Sequence, residues 1–176
     1  MTLLQPSLLV PHHVTADGGR VISHLGSRMR FIETTETTGG QFWLADQVSG
    51  QGVASPLHRH GQEDETFFVL DGELEVTVGE QTTTVVGNGV QFAPRGLPHA
   101  FRVTSPSARF LILGTPAGFE RWFFETADPE GAPPGPPDLD RLLSSLGRYG
   151  AELIGPPPGM GPGGPPPGTA PGGPVR

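Results

Sequence analysis

The chain has 176 residues, no cysteine and a formal net charge of -7 at pH 7, with 11 Lys and Arg against 18 Asp and Glu. The acidic balance and the lack of any basic run exclude nucleic acid and an anionic membrane surface as expected partners, and the missing thiols remove disulfides, thiolate catalysis and cysteine-based zinc sites together. No apolar run approaches the ~20 residues needed to cross a bilayer. Leu3-Leu4 and Leu8-Leu9-Val10 lack the positive flank and small-residue cleavage site of a signal peptide, so a cytoplasmic protein is expected.

Residues 1–20 read as an N-terminal arm. His12, His13 and the nearby His24 have no partner at ligand spacing and read as surface histidines. From Val21 to Gly114 the pattern is strand and turn, and residues 21–115 are taken as one β-barrel domain. Glu65-Thr-Phe-Phe-Val-Leu70, Leu74-Glu-Val-Thr-Val78, Thr82-Thr-Thr-Val-Val86, Val90-Gln-Phe92 and Ala108-Arg-Phe-Leu-Ile-Leu113 are short β-branched or aromatic runs. Asp71-Gly72, Gly79-Glu80, Gly87-Asn88-Gly89 and Gly114 punctuate them. Leu74, Val76 and Val78 alternate with Glu73, Glu75 and Thr77, which reads as one buried and one wet face. Many short strands at regular spacing give an all-β sandwich or barrel.

Two short blocks inside that region carry the chemistry. In the first, His58 and His60 are two apart, so a strand sends both side chains to one face. Glu65 lies at an odd offset from His60, and Gly61 permits the turn or bulge that returns its carboxylate to that face. In the second, the turn-rich Pro94-Arg-Gly-Leu-Pro98 aims His99 into the same cavity. The product is a metal site of His58, His60, Glu65 and His99 with no thiol. That donor set suits one divalent transition ion, Fe, Mn, Co, Ni, Cu or Zn, without choosing among them. Glu63 and Asp64 read as a solvated rim beside Glu65. Phe67 and Phe101 each lie two residues beyond a ligand, and either line a pocket above the metal or belong to ordinary barrel core. Arg95 and Arg102 receive no role.

After Gly118 the character changes, and residues 116–154 read as a helical extension. Phe119, Trp122 and Phe123 fall at helical spacing, for packing on the outside of the barrel. A Pro/Gly linker over 130–137 precedes a second helix, with Leu139, Leu142, Leu143 and Leu146 on one stripe, Asp138 as N-cap and Gly150 as stop. From 155 to 176 nearly every residue is Gly or Pro without a three-residue period. This stretch reads as a disordered tail, because it buries too little apolar surface to offset ~1–2 kcal/mol of backbone ordering per residue.

The spacing Gly52, His58, His60, Glu65, Gly72 resembles the first motif of the cupin superfamily without a gap, and Pro94, Gly96 and His99 resemble its second. The resemblance spans roughly residues 12–115. It implies a jelly-roll barrel (a double-stranded β-helix) and the same four metal ligands. Two positions depart from the pattern: Val103 stands where an Asn often follows, and Asn88 where an Asp opens the second motif. Ala117-Gly-Phe-Glu-Arg-Trp-Phe-Phe-Glu125 and Glu36-Thr-Thr-Gly-Gly-Gln-Phe42 are similar to segments of small quercetinase-like (flavonol dioxygenase-like) cupins. That subgroup implies a metal-dependent dioxygenase on a small enolisable or polyphenolic compound, with Glu65 as both ligand and catalytic base, and a homodimer formed through the arm. A metal-dependent isomerase or lyase, and a non-catalytic small-molecule binder, remain open.

Overall fold

The computed structural model describes residues 9–129 and 139–157. Strand alternation sets its architecture. Along β5 (Asp64–Asp71), Glu65, Phe67 and Val69 are buried while Thr66, Phe68 and Leu70 are half-buried, the period-2 signature of a strand with one face on a core. The same alternation runs through β6 (Glu73–Val78) and β10 (Ser107–Thr115). It continues in β2 (Ser27–Glu33), where Ser27, Met29 and Phe31 turn inward.

Eleven strands among the described residues form two antiparallel sheets of a jelly-roll barrel. One sheet has six strands in the order β1 (Arg20–His24), β2, β3 (Trp43–Gly50), β10, β5, β8 (Val90–Ala93). The other has five: β11 (Ala151–Gly155), β4 (Leu57–His60), β9 (His99–Val103), β6, β7 (Gln81–Val86). Between them Phe31, Trp43, Phe67, Val69, Leu74, Val76, Val103 and Phe110 are each at most 1% exposed. Burial of this apolar surface is the main force holding the sheets face to face.

The turns follow their residue chemistry. Gly72 joins β5 to β6 at φ 80, and a Cβ there would collide with the Ser107 carbonyl. Asn88 adopts φ 68, a left-handed conformation that Asn tolerates better than most residues, so the chain's departure at this position keeps its turn. Val103, the other departure, is an apolar core residue, 1% exposed.

Among the described residues three short helices accompany the strands: α1 (Thr35–Thr38), α2 (Glu120–Thr126) and α3 (Leu139–Leu146), the last followed by a 3-10 turn at Gly147–Tyr149. Gly150 caps that turn at φ 73, as its stop role requires. The chain then makes β11, a strand within the 116–154 stretch expected to be helical. β11 pairs with β4 in the register Ala151↔His60 and Leu153↔His58, alongside two expected ligands. On α3, Leu142 and Leu146 are buried but Leu143 is 44% exposed, so the apolar stripe is narrower than its leucines imply.

His24 also corrects its surface reading. It is 4% exposed, edge-on to Trp122 and Phe123 at 5.1 and 5.2 Å, with Nε2 3.0 Å from Thr126 Oγ1. Burial is the main reason its pKa falls to about 4, with the charge of Arg141 adding to it. His12 and His13 are exposed, as expected. Arm residues 1–8, the linker, the Asp138 cap and the tail beyond 157 lie outside the described residues.

Candidate metal centre

β4, β5 and β9 deliver the four expected residues to one point. His58 and His99 pair directly across β4 and β9, and Glu65 faces inward from the opposite sheet. One ligand atom from each of His58, His60, Glu65 and His99 lies within 4.8 Å of every other. The ring centroids stand 4.5 Å apart for His58 and His99, 5.0 Å for His58 and His60, and 5.4 Å for His60 and His99. Glu65 Oε2 is 3.2 Å from His99 Nε2, and Oε1 is 3.6 Å from His60 Nε2. His60, Glu65 and His99 are at most 4% exposed, and His58 is the partly exposed member through which the cluster meets its surroundings.

Backbone carbonyls orient two of the rings. His58 Nδ1 lies 2.8 Å from the Pro56 oxygen and His99 Nδ1 3.1 Å from the Leu97 oxygen. A carbonyl only accepts, so Nδ1 carries the hydrogen in both rings and Nε2 points to the cluster. Burial pulls the His58 pKa down to about 3, helped by His99 and His60, and burial lowers His60 as well. Both are therefore neutral near pH 7, the form that donates a lone pair to a metal. Burial pushes Glu65 upward, but the charge of His60 and the hydrogen bond from His99 outweigh it and hold the carboxyl at about 2. Burial pulls His99 down, but the hydrogen bond its Nε2–H donates to Glu65 and that carboxylate's charge outweigh it and raise its pKa, so both ring nitrogens carry hydrogen here and a metal would displace the one on Nε2. Three imidazoles, one carboxylate and buried ring nitrogens without protein partners on His60 fit a divalent transition ion.

Phe67 and Phe101 lie in the core beneath the cluster, 1% and 8% exposed, with the Phe67 ring 6.4 Å from that of His99. Phe119 closes the other side. Its ring stands edge-on to His60 at 4.3 Å and it is 4% exposed, so the segment expected on the outside of the barrel reaches the site. Arg95 and Arg102 are paired with Asp64 and Glu75, each at under 3 Å.

Glu63 is the residue the sequence reading misplaced. It is 5% exposed rather than a solvated rim, and its Oε2 accepts from Trp43 Nε1 at 3.0 Å and from the Phe119 backbone N–H at 3.4 Å. Burial first, then the charge of Glu65, raises its pKa to about 9. A signal was present: Glu63, Glu65, Phe67 and Val69 share one parity, and continuing the β5 alternation one step back puts Glu63 inside. Its neighbour Asp64 does lie outward, bound by Arg95, which holds its carboxyl at about 2.

A family model for the cupin domain matches residues 47–113, the stretch from β3 to β10 that holds all four clustered residues. An uncharacterized protein of Streptomyces coelicolor is 30% identical over 91 residues, 52% of this chain and 81% of that protein. The chain belongs to the cupin superfamily. This cupin is also 33% identical to quercetin 2,3-dioxygenase of Bacillus subtilis over 75 residues, 43% of the chain but 22% of the dioxygenase's own length. Among solved structures, KdgF from Halomonas superposes with a TM-score of 0.57 at 14% identity, covering 64% of this chain and 99% of that one. An RmlC-like cupin from Shewanella frigidimarina gives 0.56 at 13% identity, covering 64% and 96%. At such identities the two structures establish the shared fold.

Proposed function

We propose that this cupin binds one divalent transition metal through His58, His60, Glu65 and His99 and uses it as a dioxygenase on a small enolisable or polyphenolic compound. The four-residue cluster carries the proposal. Similarity to quercetin 2,3-dioxygenase over 75 residues supports the choice of chemistry. A bound ion would supply Lewis acidity and a coordination position for a substrate oxygen.

The chain's own groups do the rest. His58, His60 and His99 are donors fixed on two paired strands, so ligand geometry is set before anything binds. Glu65, already ionised, is the base within reach of a substrate hydroxyl at the cluster, and His99 is placed to stabilise its charge. Phe67 and Phe119 set apolar rings against the cluster, and Phe101 packs on Phe67 behind it. Their exclusion of water strengthens each electrostatic contact there.

Oxygen uptake with flavonol-like substrates tests the reading. It is expected in metal-loaded wild type and absent in Glu65→Gln and His99→Ala, whereas uptake unchanged in both variants would end it. Turnover that persists under strict anaerobiosis would replace it with a Lewis-acid isomerase or lyase. Tight binding without turnover would leave a non-catalytic binder.

A further inference from the structure

The outer face of the six-stranded sheet carries positive charge that its own contacts do not use up. On β2, Ser27, Met29 and Phe31 point into the core, so Arg28 and Arg30 point away from it. In the antiparallel register Arg28 stands beside Val48 and Arg30 beside Asp46 on β3, and Val48 stands beside Arg109 on β10. A cavity of about 480 Å3 opens over these residues, with Ala16 and Asp17 as its wall. It lies on the side of the sheet opposite the core and the histidine cluster.

The lining is held in place from beneath. Asp46 is 4% exposed. Its Oδ1 accepts from Arg109 Nε at 3.0 Å, and its Oδ2 accepts from Arg109 Nη2 at 2.8 Å and from Arg30 Nη2 at 3.0 Å. Arg30 Nη1 donates to the Ala16 and Gly18 carbonyls at 3.0 and 3.3 Å, which ties the wall to the sheet. Gly19 lets the wall lie so close: its φ is 94, and a Cβ there would stand 2.4 Å from the Phe31 carbonyl oxygen. Two guanidiniums are thus fixed before any ligand arrives, which lowers the ordering cost of binding.

Charge here is in surplus. Arg59, Arg95, Arg102, Arg121 and Arg148 each meet a carboxylate of their own. At the cavity Arg30 and Arg109 share Asp46, and Arg28 has no hydrogen bond or ion pair among the described residues. Three arginines therefore line it against two carboxylates, Asp46 and the exposed Asp17, in a chain whose formal net charge is -7. A cleft with an excess of one sign concentrates the opposite sign, and a guanidinium presents paired donors that match an oxyanion. Val48 supplies an apolar floor between Arg28 and Arg109, and the volume is that of a small-molecule pocket.

We propose that this cavity is a ligand site of its own, for a small organic molecule bearing a carboxylate or a phosphate monoester. Arg28 and Arg109 Nη1, the donor that Asp46 leaves unused, take the oxyanion, and Val48 takes the organic body. Asp46 and the Ala16–Gly18 carbonyls are the braces that hold Arg109 and Arg30 for it. The site does not depend on the metal-binding reading.

Titration calorimetry of the full chain with benzoate and with phenyl phosphate tests it, in chloride buffer and with protein stripped of metal, so that a probe held by an ion at the cluster does not count. Wild type is expected to bind at least one probe saturably, and the one it prefers identifies the head group. Arg28→Gln is expected to weaken that binding by about 10–100-fold, the worth of a hydrogen bond to a charged group. Its thermal midpoint should stay at the wild-type value, because Arg28 holds nothing else in the fold. Arg148→Gln, which removes a surface charge elsewhere, is expected to bind as wild type does. No binding of either probe, equal affinity in Arg28→Gln, or an equal loss in Arg148→Gln would each overturn the proposal.

Discussion

The barrel buries polar side chains at both of its ends, and the two ends treat them differently. At one end Gln47 Nε2 donates to Ser27 Oγ at 3.1 Å and to Ser49 Oγ at 3.0 Å, while the two serine hydroxyls bond each other at 2.8 Å. At the other end lie His58, His60, Glu63, Glu65 and His99, where both His60 nitrogens and Glu63 Oε1 have no partner. On β10 the two levels are marked by Ala108, opposite Ser49, and Gly114, opposite Trp43 and Glu65. Six residues at ~3.3 Å each put them about 20 Å apart. One cluster closes on itself and is structural. The other is held open by its strands and its aromatic walls, which is how a protein keeps ligand atoms available at the cost of their unmet hydrogen bonds.

Metal binding tests that contrast directly. Zinc at a hundredfold its dissociation constant should stabilise wild type by about 2.7 kcal/mol through binding to the folded state alone, read as an upward shift of the thermal midpoint. His60→Ala should abolish the shift. Ser49→Ala should keep it whole while lowering the starting midpoint by the ~1–3 kcal/mol of a buried polar group left short of a partner. A zinc shift that shrinks in Ser49→Ala would show the two ends to be coupled rather than independent.

His24 sharpens the comparison from outside both ends. Like the Gln47–Ser27–Ser49 cluster it has a partner, Thr126, and it is neutral when folded. Its folded pKa of about 4 lies below its unfolded value of about 6.5. The unfolded chain therefore takes up the proton first as pH falls. The stabilisation is fully present above pH ~6.5 and is lost progressively between ~6.5 and ~4, by about 3 kcal/mol over the interval. Urea unfolding across that range should show a shallower loss in His24→Gln than in wild type; equal slopes would contradict the neutral buried state. The smallest effect belongs to Leu143→Ser, expected to change stability by no more than ~0.5 kcal/mol because the side chain is 44% exposed.

The four clustered residues were legible because local spacing encodes them: His58 and His60 by parity, His99 by its Pro94-to-Pro98 approach. The barrel was legible for the same reason, in the alternation of β5, β6 and β10. What escaped was set by partners distant in the chain. His24 is buried by Trp122 and Thr126, about a hundred residues later. Glu63 depends on Trp43, 20 residues earlier, and on Phe119, 56 residues later. β11 exists because β4, some ninety residues upstream, offers it an edge; its five residues carry little strand signal of their own. Leu143 fell on the right helical period but on a helix too lightly packed to bury three leucines side by side.

The central claim, that the open end holds a metal, is tested most directly by elemental analysis of protein purified without added metal, beside a His58→Ala/His60→Ala control. The account predicts close to one transition ion per chain in wild type and none in the control. Wild type that carries no such ion, even after reloading with each candidate metal, would contradict it.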